Sequence, residues 1–300
     1  MPVTQKFKRL ISDPKVVLDR LYSKVLSPFL PDEFSGATGN RSVSELNGKY
    51  LSAVMKALNN YSAFSNFKRH PYYQGVLEHV SESQGADYLS VISRQTPQFL
   101  HESILSKILE NDDIGNPIKY SYRDVGPISP TTLRYLKVAS DLKHYFGDDL
   151  GQDVVEIGCG YGGQCRILDQ LFDIKRYQLF DLPLVNQLIS KYLESYIMRG
   201  SYCTSTINTY EPKPIDLVIS NYAFSELPRN IQESYIEKIL SKSAKGYLSM
   251  NERSNMVKTK GFLSPPYQLE DLRSRLPTFE VIEEIPLTGP GNYIIIWGHQ

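Results

Sequence analysis

Cysteine is scarce in this chain of 300 residues: Cys159, Cys165 and Cys203, an odd count with no C-x-x-C pair. That pattern excludes a disulfide framework and a thiolate zinc site. An excess of charge is absent too. Lys plus Arg and Asp plus Glu both number 33, so the net charge is zero. That balance argues against a nucleic-acid partner, which usually needs a basic face, and the short run Lys6-Phe7-Lys8-Arg9 reads as a solvated helix start. No apolar run reaches the length of a membrane span, and the first residues lack the apolar core of a secretion signal. The chain is therefore expected to be cytoplasmic. Repeats and low-complexity tracts are missing. Alternating strand patterns are missing from the first half, where Val16 to Leu26, Val43 to Leu58 and Phe99 to Leu109 carry apolar residues at helical spacing instead.

What is present includes an apolar fraction of 41%, enough for a core, and 21 tyrosines. The second half opens on Val154-Val155-Glu156-Ile157-Gly158-Cys159-Gly160-Tyr161-Gly162-Gly163. An apolar run ends in an acid, a glycine-rich turn follows, and Gln164 to Leu171 returns to helical spacing. This predicts strand, tight loop, helix. Gly158, Gly160 and Gly162 let the backbone turn with positive φ and let a ligand lie on main-chain N–H groups at a helix start. Gly158, Gly160 and Gly163 also satisfy the dinucleotide pattern G-x-G-x-x-G. Glu156 tilts the choice of nucleoside. A carboxylate closing the first strand suits the methionine ammonium of S-adenosylmethionine (SAM) and would repel a pyrophosphate.

Tyr177 to Asp181 reads as a second strand ending in an acid, about twenty residues beyond the loop, where a carboxylate can bind ribose hydroxyls. Asp181 is the expected ribose ligand, with Leu182 beside it. Its other reading is the N-cap of a helix that begins with Pro183. Asp216 to Ser220 predicts a strand that, with the loop after it, looks like the fourth strand of a class I methyltransferase, and that resemblance places Asn221 and Tyr222 at the cofactor. Lys245 to Asn251 predicts the fifth. Val281 to Ile285 and Tyr293 to Trp297, joined by Thr288-Gly289-Pro290-Gly291-Asn292, predict an antiparallel hairpin, which is unusual for a nicotinamide domain. No Asp/Asp/His cluster follows the fourth or fifth strand, so no metal is expected. The expected fold is α/β: a seven-stranded Rossmann-like sheet closed by a C-terminal hairpin, preceded by a mainly helical region. The expected domains are residues 1–147, a helical substrate cap, and 148–300, the SAM-binding domain.

Between the halves, Asn111-Asp112-Asp113-Ile114-Gly115-Asn116-Pro117 and Gly126-Pro127-Ile128-Ser129-Pro130 are polar loops before a helix from Thr131 to Phe146. They read either as a linker or as a segment across the cofactor cleft. Asp112-Asp113-x-x-Asn116 lacks the spacing and closing Glu of a calcium loop.

Several of these stretches together resemble one group. Tyr161-Gly162-Gly163-Gln164-Cys165-Arg166, Asp181-Leu182-Pro183, Ser220-Asn221-Tyr222-Ala223-Phe224-Ser225-Glu226-Leu227 and Ser129-Pro130-Thr131-Thr132-Leu133-Arg134-Tyr135 are similar to bacterial sugar O-methyltransferases of the class I SAM-dependent superfamily. The likeness runs from about His70 to the C-terminus. It implies SAM as cofactor and a carbohydrate or glycosylated small molecule as substrate.

A sugar hydroxyl needs its proton removed during methyl transfer, so a general base is expected. Glu226, in the segment after the fourth strand, is the candidate, and it also reads as an acid before the helix at Pro228. His144 is the second candidate, with His299 and His70 behind it. Arg134, Tyr135, Asn251 and Glu252 are the expected substrate contacts, Arg134 suiting a nucleotide-sugar phosphate. The loop from Arg253 to Pro266 is long and polar, as a substrate loop would be. Other readings stay open: methylation of a non-sugar small molecule, an NAD(P)-linked oxidoreductase, or a non-catalytic scaffold. The helical half suits a dimer contact as well as a lid.

Overall fold

The computed structural model describes residues 48–251 and 266–299. Seven strands form one sheet: β1 (Asp153–Ile157), β2 (Arg176–Phe180), β3 (Ser201–Ser205), β4 (Ile215–Asn221), β5 (Ser243–Met250), β6 (Glu280–Glu283) and β7 (Tyr293–Trp297). Their order across the sheet is β3-β2-β1-β4-β5-β7-β6. The first five are parallel, and β7 runs antiparallel between β5 and β6. The expected hairpin therefore forms, with its second strand inserted inside its first. The order reverses between β1 and β4, and ligands of such sheets bind outside the strand carboxyl ends at that point.

Central parallel strands are covered on both faces, which is why β1 and β4 read as continuous apolar runs. On one face Val155, Ile157, Phe180, Val218, Leu248, Ile295 and Trp297 pack with Tyr235 and Ile236 of a helix at Arg229–Lys238. Against the other lies a helix that enters the sheet domain from the first half. Four helices bear on the site and its cover: α1 (Gly48–Asn59), α2 (Glu82–Gln95), α3 (Pro130–Phe146) and α4 (Gly163–Leu171). Ser129 caps α3 by accepting from Thr132 N, Pro130 occupies its first turn, and Gly147 at φ 78° ends it. A helix with apolar residues on one stripe would leave a face to solvent. α3 instead buries all of Pro130 to Leu133 and Tyr135 to Leu142. Its buried Lys137–Asp141 pair, 2.6 Å, is joined by the Tyr247 hydroxyl from β5 at 2.5 Å. That third group satisfies a carboxylate that would otherwise be costly to enclose.

The first half follows the sequence in part. The helix expected within Val43 to Leu58 is α1 as far as it is described. Its last carbonyls, of Ala57 and Leu58, accept from Lys191 Nζ at 3.0 and 2.8 Å. The apolar run Phe99 to Leu109 is broken into a 3₁₀ turn and a helix at Glu102–Leu109. A two-stranded ribbon, Tyr120–Tyr122 with Gly126–Ile128, stands where no strand was expected. The helix expected at Val16 to Leu26 lies outside the described residues. No helix among the described residues is long and apolar enough to cross a membrane.

Candidate active site

The glycine loop leaves β1 at the reversal point. Gly158, Gly160 and Gly162 have φ of 75°, 60° and 88°, a region closed to most side chains. Space is closed as well: a Cβ on Gly158 would lie 2.0 Å from Ala223 Cβ, and one on Gly160 would lie 2.9 Å from Leu77 Cδ1. The loop is thus pressed between the segment after β4 and a segment from the first half.

Asp181 ends β2 beside this loop. Its Oδ2 accepts from Gly160 N at 3.0 Å and its Oδ1 from Leu182 N at 2.8 Å. It is not the N-cap of the following helix, Pro183–Leu193; that position belongs to Leu182, and no side chain caps there. Pro183 removes one donor that a cap would serve, and the aspartate is turned to the glycine loop instead. Glu156 lies below the loop, 2% exposed, accepting from the Tyr177 hydroxyl at 2.9 Å. Burial pushes its carboxyl up to about 8, against that hydrogen bond. Near neutral pH the group is largely protonated.

Across the cleft, Asn221 ends β4 and Tyr222 adopts φ 65°, an uncommon conformation for a bulky residue that clusters at functional sites. The Tyr222 hydroxyl donates to Glu284, and Thr288 Oγ1 is 3.0 Å away. Burial and Glu284 push that hydroxyl well above the ordinary tyrosine range. Asn221 Oδ1 is enclosed without a partner. Glu226, at the end of the turn Ala223–Glu226, accepts from Asn251 Nδ2 at 3.0 Å. Asn251 N in turn donates to Ser225 Oγ at 3.1 Å. The ends of β4 and β5 therefore meet at Glu226. Glu252 and nearly all of the loop to Pro266 lie outside the described residues.

The third wall comes from before the sheet. Arg134 Nη2 donates to the Leu77 carbonyl at 3.2 Å, and the Tyr135 carbonyl accepts from Gln164 Nε2 of α4 at 3.1 Å. Both residues are thus held beside the glycine loop, one by the residue that covers Gly160 and one by the helix that follows the loop. Tyr73, Glu78 and Arg134 each keep an enclosed polar atom without a partner: the Tyr73 hydroxyl, Glu78 Oε1 and Arg134 Nε. Beneath them Lys68 is fully buried. Its Nζ donates to the Asn111 carbonyl at 2.7 Å and sits 4.2 Å from the ring centre of Tyr161 in the glycine loop. Burial lowers this amine to about 8. Asn111 also takes the Tyr192 hydroxyl on Oδ1 at 2.8 Å. Asp112 accepts from Ser129 N, Ser129 Oγ and Thr132 Oγ1 at 2.6, 2.8 and 2.7 Å. The polar stretch that failed as a calcium loop is the buried seat of the α3 start.

His144 does not reach this site. It is exposed in the last turn of α3, and the neighbouring Tyr145 ring lies 6.5 Å from His299. His299 follows β7, whose Trp297 pairs with Gly246 near the start of β5. Both histidines therefore lie toward the amino-terminal edge of the sheet, and catalytic roles for them fail on that placement. A cavity of about 280 Å³ among Asp153, Arg176, Ser201 and Lys213 also lies at strand beginnings, remote from the loops. His70 accepts from Tyr72 N at 3.3 Å as a helix cap.

No family model and no curated protein matches this sequence. Among solved structures, the chain is similar to the magnesium protoporphyrin IX methyltransferase of Synechocystis PCC 6803, crystallised with S-adenosylhomocysteine (SAH). Identity is 15% over 54% of this chain and 80% of that one, with a TM-score of 0.40. It is also similar to an S-adenosylmethionine-dependent methyltransferase of Clostridium acetobutylicum ATCC 824, at 9% identity, 55% and 90% coverage and a TM-score of 0.41. A SAM-dependent methyltransferase of Aquifex aeolicus aligns at 16% identity, 54% and 87% coverage and a TM-score of 0.38. These are likenesses of general form over about half of this chain.

Proposed function

We propose that this chain is a SAM-dependent O-methyltransferase acting on a sugar hydroxyl. The observation that carries the reading is the position of Asp181, tied to the glycine loop at the sheet's reversal point, at the same strand ends as Asn221. The residues fit the cofactor in three respects. The positive-φ glycines let a ligand approach the backbone closely, their own N–H groups being held by the Phe180 carbonyl, Asp181 Oδ2 and the Cys159 carbonyl; Asp181 offers a carboxylate to ribose hydroxyls; and Asn221 Oδ1 and the Tyr73 hydroxyl are enclosed atoms without a partner. When bound, SAM supplies a methyl group on a cationic sulfur.

Gly158, Gly160 and Gly162 shape the floor, Asp181 and Leu182 hold the nucleoside end, and Asn221 and Tyr222 form the wall toward the acceptor. Glu226 accepts the proton of the attacking hydroxyl, with Asn251 fixing its Oε1. Such a base contributes roughly 10²–10⁴-fold. The sugar assignment draws on the family resemblance carried by Ser129 to Tyr135 and Ser220 to Leu227.

The test is thermal stabilisation by SAM, SAH and NADH for wild type and Asp181→Ala. Ligand at about 100 times its Kd adds roughly 2.7 kcal/mol. A shift with SAM and SAH that Asp181→Ala weakens supports the reading. A shift with NADH alone, or none, rejects it in favour of an oxidoreductase or a scaffold. Radiolabelled methyl transfer to nucleotide sugars, free sugars and phenolic or amine acceptors then separates sugar from non-sugar substrates.

A further inference from the structure

Two groups of opposite charge in the covering wall are built in without full satisfaction. The Arg134 guanidinium spends Nη2 on the Leu77 carbonyl, and its Nε is enclosed with no partner. The Glu78 carboxyl, on the residue after Leu77, keeps Oε1 enclosed with no partner. Buried orphans of this kind are rare in native proteins and ask for an explanation. Both stand beside the glycine loop. The Leu77 side chain covers Gly160, the residue after Arg134 is held by Gln164 of α4, and Asn221 Nδ2 reaches that same glutamine's Oε1 at 3.5 Å. Glu78, Tyr88 and Tyr222 lie within electrostatic reach of the guanidinium.

A partner that satisfies both orphans must accept from Arg134 Nε and donate to Glu78 Oε1, and one that carries a negative and a positive group a short distance apart also matches the charges of the two side chains. A sugar hydroxyl offers neither charge, and a phosphate offers only one. The amino-acid end of SAM carries a carboxylate and an ammonium on one carbon. We propose that Arg134 and Glu78 clamp this zwitterion, Arg134 taking the carboxylate and Glu78 the ammonium. The clamp rests on the methyltransferase reading above. It moves the ammonium contact from Glu156, whose carboxyl is enclosed below the loop against Tyr177, to a residue of the cover. Half of the cofactor site then comes from the chain before the sheet.

The test compares the affinity of the full chain for SAH with that for 5′-methylthioadenosine, which keeps the adenosine and sulfur but lacks the amino-acid end. Wild type is expected to prefer SAH strongly. Arg134→Gln and Glu78→Gln should each weaken SAH by about tenfold or more and leave methylthioadenosine unchanged, which also shows that the variants are folded. Equal weakening of both ligands, or no change in either, overturns the clamp. So does an Arg134→Gln protein that binds SAH normally but loses UDP-glucose binding in its SAH-loaded form, since Arg134 then belongs to the acceptor. If wild type binds neither SAH nor methylthioadenosine, the methyltransferase reading itself has failed.

Discussion

Glu156→Gln separates two accounts of the acid that closes β1. If the carboxylate holds the cofactor ammonium, as its place before Gly158 suggests, the amide should cost SAH at least about tenfold in affinity, since charge-assisted contacts are strong. If the group is the buried, protonated acid of the structure, the amide replaces a neutral carboxyl and affinity should hold within about twofold. Stability gives the second readout. With a folded value near 8 against an ordinary 4.5, the folded state holds a proton that the unfolded state releases throughout that window. This contribution is fully present below about pH 4.5 and is lost as pH rises through the folded value. Between about pH 5 and pH 7.5 the loss is about 3 kcal/mol. Urea unfolding of both proteins at those two values should show wild type losing that much more than Glu156→Gln. Glu78, also raised by burial, acts in the same direction but is common to both proteins, so it cancels in the difference. A parallel pH response of the two proteins would falsify a neutral Glu156.

Two more substitutions test the loop and the base. Gly158→Ala should destabilise more than Gly160→Ala, because both need positive φ but the first meets the fixed Cβ of Ala223 at 2.0 Å and the second a movable leucine tip at 2.9 Å. The smaller cost should be about 1–2 kcal/mol, and Leu77→Ala should recover none of the φ component; equal midpoints in urea for the two alanine variants would contradict this. Glu226→Gln should lower kcat by roughly 10²–10⁴-fold while calorimetric SAH affinity stays as in wild type. An unchanged kcat would remove Glu226 from proton transfer.

The sheet was legible because its signals are local. Strands β1, β2, β4, β5 and β7 are short apolar runs, each with turn residues close by in sequence, and structure and expectation differ by only a few residues at their ends. Strand β3, Ser201–Ser205, has no such run. It is an edge strand of Ser-Tyr-Cys-Thr-Ser, none of it fully buried, and edge strands are kept polar. Helix α2 was missed although its start is written plainly: Ser81 caps Gln84 N and Gln84 returns to Ser81 N, the reciprocal pattern of a capping box.

The covering wall was illegible for a different reason. Lys68, Asn111, Tyr161 and Tyr192 meet at one point, yet they are spread over more than a hundred positions, and none belongs to a periodic pattern with the others. A buried lysine and a buried aspartate look in sequence like solvated residues, because Lys and Asp are almost never enclosed unless partnered. Here each is partnered, Lys68 by a carbonyl and aromatic faces and Asp112 by the first turn of α3. Those partnerships fix the start of α3, and through it Arg134 and Tyr135, against the glycine loop. Enclosing a polar group is costly unless it is partnered, as these are. These partnerships converge on the loop that Gly158 begins, where the Tyr161 ring meets Lys68 and the Tyr135 carbonyl meets Gln164.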